Sequence, residues 1–395
     1  MTLRRLTLLI VCLTGILAGL AAQGSGSITK KMLGSKLNSI QTTVPFTTIS
    51  PDSRAGAMGD LGVASSPDVN SQHWNAAKYI FNEDKAGVSL AYTPWLRNLV
   101  NDINLAYLSA FYRFDDRQAI SGSLKYFSMG EIIFRDIEGV ETGEYNPNEF
   151  ALDVGYSRLL SEYLSAALVL RFIRSDITGG GSVDGQQYNA GYSYAADLGM
   201  YYQRPVELGG MDGEFAWGLN FSNLGTKISY TEGSDKQFIP ANLRLGARYT
   251  LDIDEYNSFT LAADLNKLLV PTPPETSSDG DTVLFGKKIP NSIPLSWIQS
   301  FYDAPGGFTE EMKEIMISVG VEYWYHDQFA MRLGYFNESD TKGNRKFFTA
   351  GIGLKFNVFF LDFSYLISTK GKNNPLANTM RFTLGMNFPE GNKRR

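Results

Sequence analysis

Chemistry-bearing side chains are scarce in this sequence. There is one cysteine, Cys12, inside an apolar N-terminal run, so the rest of the chain has no thiol for a disulfide framework or a thiolate metal site. The two histidines, His73 and His326, stand far apart, without ligand spacing or an obvious catalytic neighbour, and no metal or other cofactor is expected. Charged residues make up only 19%, below the roughly 25% of ordinary soluble domains. A net charge of -5 gives no sign of nucleic-acid binding. Beyond the first 22 residues no run of about eighteen apolar residues occurs, so a transmembrane helix is excluded there.

What replaces charge is aromatic and small: 13% aromatics, with 21 Tyr and 25 Phe, and 39 Gly. Such a balance suits strands whose outer face meets lipid and whose ends sit at the headgroups. MTLRRLTLLIVCLTGILAGLAAQ places Arg4 and Arg5 before an apolar run and small residues after it, the layout of a cleavable export signal over residues 1–22. The residue before Cys12 is not small, which argues against a lipid anchor.

From residue 86 onward the hydrophobic period is close to two. In EFAWGLNFS, Phe215, Trp217, Leu219 and Phe221 share one face; in NSFTLAADLNK, Phe259, Leu261, Ala263 and Leu265 do. About fourteen candidate strands follow, near 86–93, 103–114, 118–129, 149–159, 163–174, 188–203, 212–222, 240–250, 256–266, 314–325, 328–337, 346–356, 358–367 and 378–388. Their connections alternate between very short ones, such as DDR, LSE and Asn357, and longer ones at 130–148, 175–187, 223–239, 267–313, 338–345 and 368–377. RPVELGGM is the exception, long for a turn on the short side. The last strand sets Met380, Phe382, Leu384, Met386 and Phe388 on one face, as a lipid-facing terminal strand would.

The fold expected is therefore all-β, a transmembrane antiparallel barrel of about fourteen strands over 86–388. It is preceded by an N-terminal segment, 23–85, and followed by a charged tail, 389–395. An even strand count puts both termini on the periplasmic side and the long loops outside the cell, in the outer membrane.

No motif points to catalysis. GYSYA at 191–195 lies in an alternating strand and lacks the second Gly of a nucleophile elbow. SDGDT at 278–282 reads as a solvated acidic loop rather than a cation site. A lipid-directed hydrolase would need a nucleophile beside His326 or His73, and none is apparent. Glycines inside strands, among them Gly199, Gly218, Gly246, Gly320, Gly351 and Gly353, are expected to leave room inside the barrel for bulky neighbours or a packed segment.

Two stretches remain. The excursion 267–313 is too long for an idle loop. Its second half carries Trp297, Phe301, Tyr302, Asp303, Pro305 and Phe308, and Thr309, Glu310, Glu311 and Lys313 suit a short helix. Those aromatics either contact a partner or fold down over the barrel's own mouth. The other stretch is SRAGAMGDLGVASSPDVNSQHWNAAKYIF, ahead of the first strand. A barrel of this width is too wide for its own side chains to fill, and small residues such as Gly56 and Gly59 suit backbone packed against an inner wall. Arg54, Trp74 and Asn75 belong to the same candidate hatch.

The run from Arg54 to Asn75 resembles the hatch of FadL-type outer-membrane barrels. AGAMGDLGVASSPDVNSQHWNAAK with SWIQSFYDAPGGFTEE is more specifically similar to the PorV family of the Bacteroidetes type IX secretion system. Ala76 stands where that pattern has Pro, which removes a pre-set backbone angle. The resemblance implies a shuttle without enzymatic activity. It would receive secreted cargo through a C-terminal signal domain from the giant translocon barrel. It would deliver that cargo to a surface attachment complex with a sortase-like protease that links it to lipopolysaccharide, all within outer-membrane lipid. The alternative implied by the wider fold is a transporter of hydrophobic small molecules.

Overall fold

Alternation of apolar and polar or small side chains along each strand allows a sheet with one face toward lipid and one inward, and closure removes its edges. In the computed structural model, fourteen antiparallel strands close into a barrel. The residues described are 37–97, 100, 102–135, 138–180, 182–183, 186–231, 236–277, 282–369 and 376–390. The expected export signal with Cys12, most of SDGDT and residues 391–395 of the tail lie outside them. Ser39–Arg395 constitute one compact unit.

The barrel strands are β1 (Asp84–Pro94), β2 (Ile103–Asp115), β3 (Gln118–Met129), β4 (Asn148–Ser161), β5 (Leu164–Asp176), β6 (Gly191–Leu208) and β7 (Met211–Gly225). They continue as β8 (Asn242–Asp254), β9 (Asn257–Leu268), β10 (Met316–Tyr325), β11 (Phe329–Asn337), β12 (Lys346–Phe356), β13 (Phe359–Ser368) and β14 (Met380–Pro389). Each pairs with its sequence neighbour, and β1 closes on β14 in the register Leu90↔Leu384.

Every connection at one end is a tight turn. RPVELGGM conforms once β6 and β7 are seen to run on as a hairpin, with Leu208 opposite Met211. Gly209 and Gly210 form its two-residue turn, with φ of 63° and 78°, the positive values a primed hairpin turn demands. His326 and Asp327 also take positive φ in their turn. The opposite end carries the long loops, with small two-stranded hairpins at Ile132–Arg135 with Glu141–Tyr145, Ser182–Val183 with Gln186–Gln187, and Glu275–Thr276 with Val283–Phe285.

Large apolar side chains on the outer face are solvent-accessible in the isolated chain all around the wall, among them Leu108, Leu152, Leu170, Leu245, Leu333 and Leu384. An apolar belt of that extent is foreign to a soluble monomer and is what a bilayer covers. The alternate residues are buried inside: Ser109, Asp153, Arg171, Asp264, Glu322 and Thr383 among them. Among the described residues no helix is long and apolar enough to cross a membrane.

Candidate functional site

The segment from Pro45 to Phe81 runs inside the wall as two single-turn α-helices, Ser53–Ala57 and Ser71–Trp74, flanked by the 3-10 turns Pro45–Thr48 and Ala76–Phe81. Its hydrogen bonds reach strands around the circumference. Lys125 Nζ on β3 donates to Ile49 O at 2.8 Å, and Ser157 on β4 donates to Ala76 O at 2.8 Å. Gly62 and Val63 N–H both donate to Asp264 on β9. Gly59 N–H donates to Thr349 Oγ1 on β12 at 2.9 Å, and Ser53 N–H to Thr383 on β14 at 2.9 Å. Residues 45–81 are thus bonded to inward-facing side chains of β3, β4, β9, β12 and β14.

Small residues make that fit. A Cβ on wall residue Gly218 would come within 2.2 Å of Val63 O, and one on Gly334 within 2.1 Å of Gly59 N. Gly59 itself has φ of 79°, a left-handed conformation that favours glycine. A Cβ on Gly56 would strike the buried Arg381 side chain, 2.6 Å from its guanidinium. The wall glycines Gly199, Gly246, Gly320 and Gly351 are similarly crowded by residues of the segment, whereas a Cβ on Gly353 would meet Asp362 and Arg332 of the wall itself.

The five hatch candidates have distinct contacts. Arg54 is nearly buried and donates to both oxygens of Glu322 at 3.0 and 2.7 Å, with Asp68 at 3.1 Å and Ser66 beyond. Glu322 also pairs with Arg332 at 2.6 Å, and Arg332 with Asp362 at 2.5 Å. Trp74 donates its indole N–H to Asp52 at 2.8 Å and stacks under the Arg244 guanidinium. Asn75 accepts from Ala77 N–H at 3.1 Å and donates to Met200 O at 2.8 Å. That side-chain cap starts the 3-10 turn and supplies locally what proline would have set at position 76. Sequence reasoning missed the wall partners Glu322, Arg332 and Asp264.

Neither histidine shows a catalytic arrangement. His73 lies buried beside Trp74, with Nδ1 3.3 Å from Lys125 Nζ. His326 stacks on Tyr256 in its turn. Among the described residues no cluster of His, Cys, Asp and Glu has metal-holding geometry.

At the long-loop end, residues 293–313 form two short helices, Ile293–Gln299 and Phe308–Lys313. The second matches the helix expected from Thr309 onward. Buried ion pairs fasten it: Lys267 on β9 meets Glu311 at 3.0 Å and Glu314 at 2.5 Å, while Lys342 meets Glu310 at 2.6 Å and Glu314 at 2.9 Å. Asp303 is 1% exposed in this frame, which removes it from the accessible face. Burial, reinforced by the nearby Glu311 and Glu314 charges, pushes its carboxyl up to about 7. Phe301, Tyr302 and Phe308 are exposed, Phe308 at 79%, while Trp297 and Pro305 are half-buried.

The first helix is inverted. Its polar Ser296 and Gln299 are buried, while Leu295 and Ile298 stand exposed, Ile298 at 61%. Leu284 and Phe285 of the neighbouring hairpin are exposed as well. Sequence reasoning picked the aromatics here and overlooked these aliphatic neighbours. An apolar helix face outward and a polar face inward is the reverse of a surface helix on a finished monomer.

At the turn end, a cavity of about 350 Å³ separates the lumen segment from the wall. Charged side chains such as Arg54, Asp68 and Arg332 line it together with apolar ones, Phe81, Trp324 and Leu354.

A family model for type IX secretion system protein PorV matches residues 33–275. No curated protein matches the chain. Among solved structures, the deltaS2S3 mutant of the TodX monoaromatic hydrocarbon channel aligns at 14% identity and TM-score 0.50, covering 85% of this chain and 99% of that one. The Ralstonia pickettii toluene transporter TbuX aligns at 10% identity and TM-score 0.43, covering 87% and 100%. A Pseudomonas aeruginosa FadL homologue aligns at 11% identity and TM-score 0.42, covering 89% and 99%. The TodX likeness shows the fold alone.

Proposed function

The chain belongs to the PorV family of type IX secretion system proteins, and from that premise we propose that it hands secreted cargo from the translocon to a surface attachment complex, docking through its long loop. It is an outer-membrane component of that system. In the proposed orientation the tight turns and the C terminus face the periplasm, and the long loops face outward. The cargo's C-terminal signal domain and the giant translocon barrel are the expected partners, with the sortase-like complex and lipopolysaccharide downstream.

The observation that carries this reading is the inverted helix with its apolar surroundings: Leu295, Ile298, Phe301 and Phe308, held outward on an ion-paired base. Buried side chains tie the loop down, so its apolar face is presented in a fixed shape, which lowers the ordering cost of docking. Central apolar and aromatic anchors of this kind dominate interface energetics, at about 2 kcal/mol or more each. The lumen segment would act as a permanent hatch, sealing the barrel while the work is done at its rim.

Hydrophobic small-molecule transport, the second reading, calls for an apolar path through the lumen. Tight packing of residues 45–81 against the wall counts against it.

The test is the double variant Ile298→Asp with Phe301→Ala, checked for heat-modifiable barrel migration and then for co-purification of translocon and cargo from native outer membranes. Loss of both partners from a folded barrel supports the shuttle. Unchanged co-purification rules out this loop as the docking surface.

A further inference from the structure

The wall strands provide a ruler for the segment that runs inside them. On β3, Phe127 stands near the long-loop end and Ala119 near the turn end; on β5, Ile173 and Ser165 do the same. The members of each pair are roughly 26 Å of strand apart. The start of the segment keeps to the upper level. Val44 and Phe46 share a buried cluster with Ile173, Ile228 and Ile239, and the Phe46 ring stacks on Phe127 at 6.3 Å. Ile228 and Ile239 belong to the connection between β7 and β8, one of the long ones. Thr43 is fastened to that connection, its N–H and its Oγ1 both donating to Phe238 O, at 3.0 and 3.1 Å.

The end of the segment keeps to the lower level. Ala77 O accepts from Ser165 Oγ at 2.7 Å, and Ala76, Ala77 and Tyr79 share a buried cluster with Ala119. Asn82 O accepts from Arg113, close to the first tight turn, and β1 then begins at Asp84, opposite Pro389 of β14. From Thr43 to Asn82 the chain thus passes from one rim of the barrel to the other. Fourteen strands alone return the chain to the end from which it started, which is why an even count sets both termini at the turn end. One more passage inside the wall makes the count odd. Upstream of Thr43, Gln41 and Ser39 are exposed, as they are where a backbone leads away from the rim into solvent.

We propose that this segment is a threaded strap: it enters at the long-loop face, clasped there by Thr43 and Phe238, and the N-terminal arm upstream of Ser39 is displayed on that face, opposite the C terminus. For the N terminus this replaces the turn-end placement expected from the strand count. The arm then stands on the side of the exposed loop, in reach of whatever docks there, and only the C terminus stays with the tight turns. The assignment is relative to the barrel's own two ends, so it holds whichever way the barrel faces.

The experiment places single cysteines in the full chain: Ser39→Cys, Val140→Cys at the long-loop end and Glu255→Cys at the turn end, all at exposed positions. Cys12, the only native cysteine, lies in the expected export signal, and the chain without an added cysteine measures any background. A membrane-impermeant maleimide is applied to intact and to lysed cells, with heat-modifiable migration confirming that each barrel is folded. Labelling of intact cells is expected to be full at 39 and 140 and lost at 255 until lysis. In an inverted barrel 140 and 255 exchange patterns and 39 still follows 140, which overturns the proposed orientation and upholds the strap. Labelling at 39 that follows 255, or none at 39 even after lysis, overturns the strap.

Discussion

The contact between Gly334 on β11 and Gly59 of the lumen segment offers the sharpest perturbation. Gly334 lies opposite Thr349 in the sheet, and Thr349 is the residue that accepts from Gly59 N–H and donates to Ala57 O. Alanine at 334 suits a strand, so the wall itself has no reason to fail. Its Cβ, however, would sit 2.1 Å from Gly59 N and from Met58 C, far inside the 3.4 Å at which ordinary contact begins. Backbone on both sides cannot rotate away as a side chain can, so the segment must retreat. Overpacking of this kind costs about 1–3 kcal/mol, and the displaced Gly59 N–H loses a hydrogen bond worth about 1 kcal/mol more. An opening equilibrium lowered by about 2–4 kcal/mol speeds amide exchange roughly 30- to 700-fold. Hydrogen-exchange mass spectrometry in nanodiscs reads this directly over residues 53–63, whose amides at Gly56, Met58, Gly59, Gly62 and Val63 are all hydrogen-bonded. Gly122→Ala is the control, since its Cβ would meet nothing closer than 3.3 Å. If Gly334→Ala exchanges no faster than Gly122→Ala across that segment, the segment is not packed against the wall and the reasoning is refuted.

Three further outcomes follow from the same geometry. Glu322→Gln leaves Arg54 and Arg332 buried with too little counter-charge, and a cost of about 3 kcal/mol or more is expected as a lower urea midpoint; an unmoved midpoint would contradict it. Asn75→Ala loses the cap on Ala77 and the bond to Met200 O, so protease sensitivity of residues 76–81 should rise, consistent with about 1–2 kcal/mol; equal cleavage rates would count against the cap. Asp303 has its folded value raised to about 7 from an unfolded 3.8, so the neutral carboxyl stabilises the loop fully below pH 4, and that stabilisation is lost as pH rises through 7. Loop proteolysis should therefore be slower at pH 5 than at pH 8.5, and Asp303→Asn should flatten the difference; a pH dependence surviving that substitution would assign it elsewhere.

Much of the wall was legible because lipid outside and polar packing inside impose a period of two, and a period-two pattern fixes both face and strand. Strand ends shifted by only a few residues. The exception at RPVELGGM arose because strands that continue past the bilayer lose the apolar face that marked them, leaving Gly209 and Gly210 as the only sign of the turn. The small-residue content of residues 53–81 and the width of the barrel led to the expectation of a segment packed against the inner wall. Which strand each residue meets was not readable, since Arg54 and Glu322 are 268 positions apart and no local pattern encodes their pairing. The loop shows the same limit. Its aromatics were visible as a class, but exposure depends on which residues the Lys267 and Lys342 ion pairs hold down. Asp303 is buried and Ile298 exposed, and composition alone ranks them the other way.

The central claim, that the loop's apolar face is a protein-docking surface, is tested most directly by site-specific photocrosslinking in native outer membranes. A photoreactive residue at position 298 is compared with one at 245, where Leu245 faces lipid on the wall. The account predicts protein adducts at 298, to the translocon barrel or to cargo bearing a C-terminal signal domain, and none at 245. Adducts absent at 298, or identical at both positions, would contradict it.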